Sequence, residues 1–171
     1  AWCSKLLRVE IGENITRIQS QAFAGSDSMT EISVSSANPR YSSMSGVLFD
    51  KEVRLLVAFP GGKTGDYAIP EGVTEIDKDT FRGNKSINGL SFPDTVEKIE
   101  TISFANCEAL ERISFGRGVT VIERGAFLGC SRLKRVVIPD NVRTIEEAAF
   151  QGCDGLSEVL IGKGIESIAN G

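Results

Sequence analysis

Residues 126–150 read AFLGCSRLKRVVIPDNVRTIEEAAF, and this stretch holds one complete copy of a pattern that recurs along the chain. Apolar residues stand in columns spaced 23 positions apart, with one longer interval of 58 that equals 23 plus 35. The phenylalanine column contains Phe23, Phe81, Phe104, Phe127 and Phe150. An isoleucine column contains Ile18, Ile76, Ile99, Ile122, Ile145 and Ile168. Several columns that keep one period indicate a repeat architecture.

Each unit divides into short segments with different patterns. The motif L-x-x-[IV]-x-[IVF] alternates at period two and is rich in branched residues, which predicts a short strand. A proline or glycine ends that strand, and V-x-x-I follows as an extended segment or turn. Residues 146–150, read EEAAF, and their equivalents predict about one helical turn, and a glycine two positions after the phenylalanine is placed to stop it.

A single unit of this kind cannot bury its own apolar face, whereas stacked units can. We therefore expect a repeat solenoid in which the strands align as a parallel β-sheet. Seven strands at a spacing of ~4.8 Å make one ladder roughly 30 Å long. The phenylalanine, isoleucine and valine columns then form internal stacks.

The turn motif resembles the BspA-type leucine-rich repeats of bacterial and protist surface proteins. The similarity is specific in residues 126–130 (AFLGC) and 149–153 (AFQGC), and the L-x-x-[IV]-x-[IVF] strand pattern follows each of them. It covers residues 1–171 and implies a single leucine-rich repeat domain, a right-handed coil, and a secreted or surface-anchored protein that recognises host or neighbouring-cell macromolecules. A continuous asparagine ladder, which the better-known leucine-rich repeats carry, is absent because Ala37, Gly72 and Gly118 stand in its column.

One unit has 35 residues instead of 23, and its extra residues lie within about 37–65. Apolar residues at odd positions from Val47 to Phe59 predict one inserted β-hairpin that packs a single face on the solenoid. Pairing of odd positions with odd positions requires an odd loop length. We therefore predict a three-residue loop, residues 50–52, closed by Phe49 and Val53.

Gly62-Lys63-Thr64 is a fragment of the phosphate-binding loop pattern. The full pattern needs a glycine at position 57, where Val57 stands, and a helix after the threonine, where residues 66–69 predict a strand. We interpret the segment as a connecting turn.

The four cysteines share one column of the repeat. Cys107, Cys130 and Cys153 occupy the same position in successive units, and Cys3 falls in register with them. Such cysteines fill small buried slots as apolar groups, although neighbouring copies would lie close enough for a disulfide. Their spacing lacks a C-x-x-C pair and the chain lacks histidine, which argues against zinc. No metal, cofactor or catalytic residue is predicted.

The composition of the 171 residues excludes several function classes. A net charge of −4 argues against nucleic acid as a partner. The absence of histidine removes Ser-His and Cys-His nucleophile pairs, and hence most routes to an enzyme. The longest apolar run, residues 55–59, is far shorter than the ~20 residues of a membrane-spanning helix.

Nine of the outward positions of the predicted sheet form the candidate protein-binding face. They are Arg8, Glu31, Asp66, Arg112, Ser114, Arg135, Val137, Glu158 and Leu160. Arg112 and Arg135 make a modest basic spot beside Val137 and Leu160, a combination compatible with binding an extracellular or host protein. A solvated face without a ligand is the alternative at this point.

We therefore expect a non-enzymatic, adhesin-like module for protein recognition at the cell surface or in the extracellular space. The alternatives are a rigid spacer that displays another domain, and a glycan-binding module. The chain enters in the middle of a unit and stops before an expected Ala-Phe turn, so we expect it to be a fragment of a longer protein. The residues leave its oligomeric state open.

Overall fold

The computed structural model describes residues 3–19 and 22–171, and within them the chain is a β-solenoid without helices. The strands are β1 (Arg8–Ile11), β2 (Glu31–Val34), β3 (Tyr41–Met44), β4 (Val47–Asp50), β5 (Leu55–Ala58), β6 (Gly65–Ala68), β7 (Glu75–Ile76), β8 (Ile87–Ser91), β9 (Lys98–Ile99), β10 (Arg112–Ser114), β11 (Val121–Ile122), β12 (Arg135–Ile138), β13 (Thr144–Ile145), β14 (Glu158–Ile161) and β15 (Ser167–Ile168). The predicted parallel solenoid is confirmed.

The L-x-x-[IV]-x-[IVF] motifs form the main parallel ladder. Strands β6, β8, β10, β12 and β14 make a five-stranded parallel sheet, and β1 and β2 make a separate parallel pair. The expected seven strands are present in the described residues, but the expected single ladder is interrupted. The interruption falls at the 35-residue unit, because β2 packs against the inserted strands β3 and β4 and not against β6.

The V-x-x-I segments form a second ladder. Strands β9, β11, β13 and β15 pair in parallel, each through two residues, and β7 pairs with β5 of the inserted unit. Each regular unit thus contributes a longer strand, a short strand and a turn.

The expected helical turns are wrong, since residues 146–150 and their equivalents fold as successive turns. Every second amide in these turns bonds to the next unit, and the amides between them bond to the carbonyl oxygen three residues earlier in the same turn. Phe127 N donates to Ala149 O at 2.8 Å, and Gly129 N donates to Gln151 O at 2.7 Å. A helix would need those N–H groups for carbonyls in its own segment.

The insertion is a three-stranded antiparallel meander, which corrects the predicted hairpin loop. Ser45-Gly46, both at positive φ, join β3 to β4 in two residues, and residues 51–54 join β4 to β5. Asp50 lies in β4, and its carboxylate accepts hydrogen bonds from Arg54 N at 2.7 Å and Leu55 N at 2.9 Å. Serine-glycine between two strands is the sequence signal that the prediction missed.

The parity argument failed because both faces of β4 are buried. Val47 and Phe49 belong to the larger core, whereas Leu48 points into a second core with Ile32 and Met29. Phe49 therefore lies opposite Leu56, across a register shift, instead of opposite another odd position. A strand between two cores does not impose the odd-with-odd rule.

The phenylalanine column runs through the larger core as a stack of rings. Successive centroids from Phe81 to Phe150 are 4.8, 5.2 and 5.3 Å apart. The ring that precedes Phe81 is Phe59, at 4.5 Å, so the inserted unit supplies its own member. Phe23, which the spacing placed in this column, packs against the second core.

A second period of two units appears in the segment after the main strand. Pro-Asp units at residues 93–94 and 139–140 alternate with Gly-Arg-Gly and Gly-Lys-Gly at 116–118 and 162–164. Asp94 Oδ1 accepts a hydrogen bond from Arg117 N at 2.7 Å, and Asp140 Oδ1 accepts one from Lys163 N at 2.8 Å. A Cβ on Gly116 would overlap the carbonyl oxygen of Pro93, so the two kinds of unit fit by alternating.

Gly62-Lys63-Thr64 is a turn, as expected. Lys63 N donates to Pro60 O at 3.1 Å, and strand β6 follows directly. A Cβ on Gly62 would lie 2.7 Å from the carbonyl carbon of Ser28, so this glycine serves close packing of two backbones.

Candidate functional site: the exposed face of the main sheet

The nine predicted face residues fall into two groups. Arg8 and Glu31 lie opposite each other on the β1–β2 pair. The remaining residues share the five-stranded sheet; they are Asp66, Arg112, Ser114, Arg135, Val137, Glu158 and Leu160. The structure therefore brings seven of the nine onto one sheet and leaves two across the insertion.

An ion pair spans three strands of this sheet. Arg112 Nη2 on β10 donates to Asp66 Oδ1 on β6 at 2.8 Å, passing over Gly89 on the strand between them. A Cβ on Gly89 would lie 2.7 Å from Asp66 Oδ1, so the missing side chain opens the path for the pair. Gly89 was not among the predicted face residues, although it is the one glycine in its column of outward positions.

The expected basic spot is neutralised by neighbouring carboxylates. Arg135 Nε lies 2.5 Å from Glu158 Oε2 on the adjacent strand, and Arg112 is held by Asp66. All four side chains are about half exposed or more. Exposed pairs of this type contribute about 0–1 kcal/mol to folding, so a partner with matching charges can replace them at small cost.

Two apolar side chains lie beside these ion pairs. Val137 and Leu160 are partners in the register of β12 and β14, and they are 43% and 44% exposed. Ser114 on β10 and Ser91 on β8 are also in register and leave that part of the face low and flat. The arrangement is an apolar step next to paired charges, which is typical of polar-rimmed protein contacts.

Similar ion pairs join successive units elsewhere on the surface. Arg117 and Asp94 approach to 2.7 Å, and hydrogen bonds from the arginine side chain and backbone lower the pKa of Asp94. Lys134 Nζ lies 2.8 Å from Glu111 Oε2, and this hydrogen bond lowers the pKa of Glu111. Paired charges are therefore a general property of this solenoid surface and do not by themselves mark a site.

One carboxylate pair was not anticipated from the sequence. Glu100 and Glu123 occupy the same column, and Lys98 Nζ bridges them at 3.2 and 2.5 Å. Burial raises the pKa of Glu100. Burial also opposes ionisation of Glu123, but hydrogen bonds from Lys98 and Thr101 outweigh it and lower the pKa of this carboxyl. Because the lysine neutralises the pair, we interpret it as a structural ion bridge.

The cysteine column is a packing feature with weak hydrogen bonds. Cys107, Cys130 and Cys153 are buried free thiols, whereas Cys3 is an exposed free thiol. The buried Sγ atoms donate to the carbonyls of Phe81, Phe104 and Phe127 at 3.1–3.3 Å. A hydrogen bond with the neighbouring thiol is the main cause that raises the pKa of Cys130 and Cys153, and burial is a second cause. The raised pKa disfavours the reactive thiolate.

Within residues 3–19 and 22–171, no group of three or more cysteine or acidic side chains could hold a metal ion. The same part of the chain has no helix long and apolar enough to cross a membrane.

The chain matches a known protein family over most of its length. A family model described as "BspA type Leucine rich repeat region" matches residues 1–50 and 57–171 in six copies. The chain belongs to the BspA-type leucine-rich repeat family. Residues 51–56, which the match omits, are the connection between β4 and β5 (51–54) and the first two residues of β5, so the matched repeats lie on both sides of this short segment.

Solved structures show the same solenoid. The pneumococcal vaccine antigen PcpA is 28% identical with a TM-score of 0.87, over 96% of this chain and 42% of that one. A leucine-rich repeat protein from Eubacterium ventriosum is 25% identical with a TM-score of 0.73, over 92% and 49%. A leucine-rich cell surface protein from Faecalibacterium prausnitzii is 26% identical with a TM-score of 0.69, over 91% and 48%.

This BspA-type chain spans less than half the length of each of those three proteins. A comparison with curated protein sequences finds no significant match. The family and the fold are therefore shown.

Proposed function

We propose that this chain is a non-enzymatic recognition module of a bacterial cell-surface or secreted protein, and that it binds a protein in the manner of an adhesin. The observation that carries the proposal is the exposed face of the five-stranded sheet, where Val137 and Leu160 adjoin the pairs Arg135–Glu158 and Arg112–Asp66. The location is supported by family membership and by structural neighbours described as a cell surface protein and a vaccine antigen.

The chemistry of the face favours a protein over a glycan. The apolar step gives a partner desolvated contact area, and each arginine offers a planar group that a partner carboxylate engages through two hydrogen bonds. The column of phenylalanine rings, which could stack on sugars if it were exposed, is packed inside the core. A partner with an apolar patch flanked by acidic groups fits best.

The test is binding of the purified chain to arrayed extracellular-matrix proteins and polysaccharides. Two variants probe the face: Val137→Ser/Leu160→Ser removes the apolar step, and Arg112→Glu/Arg135→Glu reverses the charges. The control is Arg124→Glu/Arg143→Glu, which reverses two exposed arginines that pair with Glu147 and Glu166 away from the main sheet. All variants are compared at equal folded fraction by circular dichroism.

Saturable binding to a protein that both face variants lose and the control keeps supports the proposal. Binding that survives both face variants moves the site to another surface. If the folded chain binds nothing on the array, the rigid spacer is favoured. If it binds only polysaccharides, the glycan-binding module is favoured.

A further inference from the structure

The turns of the solenoid are joined by a regular row of backbone hydrogen bonds. At one interface, the amides of Ile102, Phe104 and Asn106 donate to carbonyl oxygens 22 residues later, at 3.1, 2.9 and 2.6 Å. At the next, Gly125, Phe127 and Gly129 do the same at 3.0, 2.8 and 2.7 Å. Each turn therefore presents three acceptors to the turn before it, at alternate residues.

The inserted unit breaks this row because it has no turn between its strand β5 and its phenylalanine, Phe59. In a regular unit four residues, 100–103, separate strand β9 from Phe104, whereas β5 ends at Ala58 and Phe59 follows directly. Pro60 comes next and has no N–H to donate. The ring of Phe59 fills its place in the core, but the backbone of a turn is missing outside it.

The missing turn leaves a groove of about 540 Å³ between two flanking turns. One wall is formed by residues 22–27 and the other by residues 78–85, with Phe59 and Ala58 between them. The carbonyl oxygens of Lys78, Thr80 and Arg82 are the acceptors that correspond to those of Arg124, Ala126 and Leu128. In the part of the chain that the structure describes, none of the three accepts a hydrogen bond.

The groove has a small excess of positive charge, since Lys78, Arg82 and Lys85 line it together with Asp27 and Asp79. Arg82 pairs with Asp79 at 3.1 Å, but Lys78 and Lys85 make no ion pair with a described carboxylate. The groove therefore combines three backbone acceptors at alternate residues with two lysines that lack an acidic partner. An extended peptide presents N–H groups at that spacing, and an acidic side chain on it complements the lysines.

We propose that this groove binds a short, extended, acidic peptide segment, which completes the interrupted row by donating to the carbonyl oxygens of Lys78, Thr80 and Arg82. The segment needs a small side chain where a regular turn has phenylalanine, because Phe59 already occupies that slot. The groove shares no residue with the face of the main sheet, so this inference stands independently of the proposed function.

The probe is a synthetic peptide that copies residues 100–106 with alanine in place of Phe104, Glu-Thr-Ile-Ser-Ala-Ala-Asn, blocked at both ends. The matched probe is the same peptide N-methylated at the three donor residues. Both are titrated into the labelled full chain and followed by amide chemical shifts. We expect saturable shifts confined to residues 22–27 and 78–85, and binding at least about tenfold weaker for the N-methylated peptide, since it forms none of the three hydrogen bonds.

A protein variant supplies the second arm. Ala24→Trp fills the groove from an exposed position of its wall, and Gln151→Trp makes the same change at the equivalent exposed position of the last complete turn. We expect Ala24→Trp to abolish the shifts and Gln151→Trp to keep them. Equal binding of both peptides, shifts centred elsewhere, retention by folded Ala24→Trp, or no shift at millimolar peptide would each overturn the proposal.

Discussion

The regular coils of residues 65–171 and the irregular segment of residues 22–64 solve the same packing problem in different ways. In the regular coils each position repeats its partner: phenylalanine stacks on phenylalanine, and the Cys130 thiol donates to Phe104 O as the Cys153 thiol does to Phe127 O. In the irregular segment the core slots are filled, but by residues from other places in the unit. The solenoid thus requires filled columns more strictly than it requires a constant chain path.

The cysteine column shows how side-chain hydrogen bonds connect the two regions at their boundary. Its member next to the insertion is Asn84, whose Oδ1 accepts hydrogen bonds from Ser86 N and Ile87 N at 2.9 Å each. Its amide nitrogen reaches Pro60 O and Gly61 O at 3.5 and 3.4 Å. A side chain that both donates and accepts matches an irregular neighbour, whereas a thiol suffices against a regular one.

The largest difference between the regions is expected for a charge in the aromatic column. Phe127→Asp places a carboxylate between two rings in a fully buried site of the regular coils, and we expect loss of the cooperative thermal transition. Phe23→Asp, at a half-buried site beside the second core, should leave a folded chain with a lower melting temperature. Differential scanning calorimetry checks both, and equal effects would contradict the separation of the two cores.

Glycines at one repeat position sharpen the comparison of backbone packing. Gly116→Ala brings a Cβ onto the carbonyl of Pro93, and relief requires movement of the backbone, so we expect a loss of about 3 kcal/mol in unfolding free energy. Gly12→Ala at the equivalent position meets no atom within 4 Å and should change stability by less than about 0.5 kcal/mol. Urea unfolding measures both values, and a similar cost for the two substitutions would refute the alternating fit.

Asn38 tests how independently the meander is held. Its amide donates to Gly12 O and Ile15 O at 2.8 and 2.9 Å, and its Oδ1 accepts from Arg40 N and Tyr41 N. We expect Asn38→Ala to cost about 2 kcal/mol, because buried backbone groups lose their partners. Hydrogen exchange should rise in β3 and β4 and stay unchanged in β10 to β14; uniform acceleration would show one cooperative unit instead.

Tyr67 on β6, where the regular sheet begins, gives a smaller, pH-dependent effect. Burial raises the pKa of Tyr67 to about 12, from an ordinary value of 10.0. The folded state thus favours the neutral phenol, so this contribution to stability is complete below pH 10 and is lost as the pH rises from 10 towards 12. Tyr67→Phe should flatten the fall in urea midpoint over that range, and an unchanged slope would show that another group is responsible.

The smallest effect is expected for a glycine that faces a side chain instead of backbone. Gly89→Ala directs its Cβ at the Asp66 carboxylate, which can rotate away and give up the bond to Arg112. We expect a stability change within about 0.5 kcal/mol, the scale of an exposed ion pair. Arg112→Gln should match it in urea unfolding, and a cost near that of Gly116→Ala would mean that the pair holds the sheet together.

Prediction from sequence succeeded where the period determines the answer. The columns of Ile122, Phe127 and Val142 are buried as expected, and the outward positions of β10, β12 and β14 lie together on one exposed face. It failed where the period breaks. The length of the loop after Asp50 and the identity of the ring stacked on Phe81, which is Phe59, depend on which core each residue faces. Residue spacing carries no information about a second core.

The sequence by itself determined the solenoid, its parallel strands and its buried columns, because a 23-residue period leaves one way for every unit to bury the same apolar face. Only the tertiary structure decided how the charges are used and where the stack is open. The sequence predicts a basic spot at Arg112 and Arg135, but in the folded sheet each arginine lies next to a carboxylate of another strand. The groove beside Phe59 likewise exists because a unit that lacks the turn before its phenylalanine lies between two units that have it. That relation between neighbours cannot be read from any single unit.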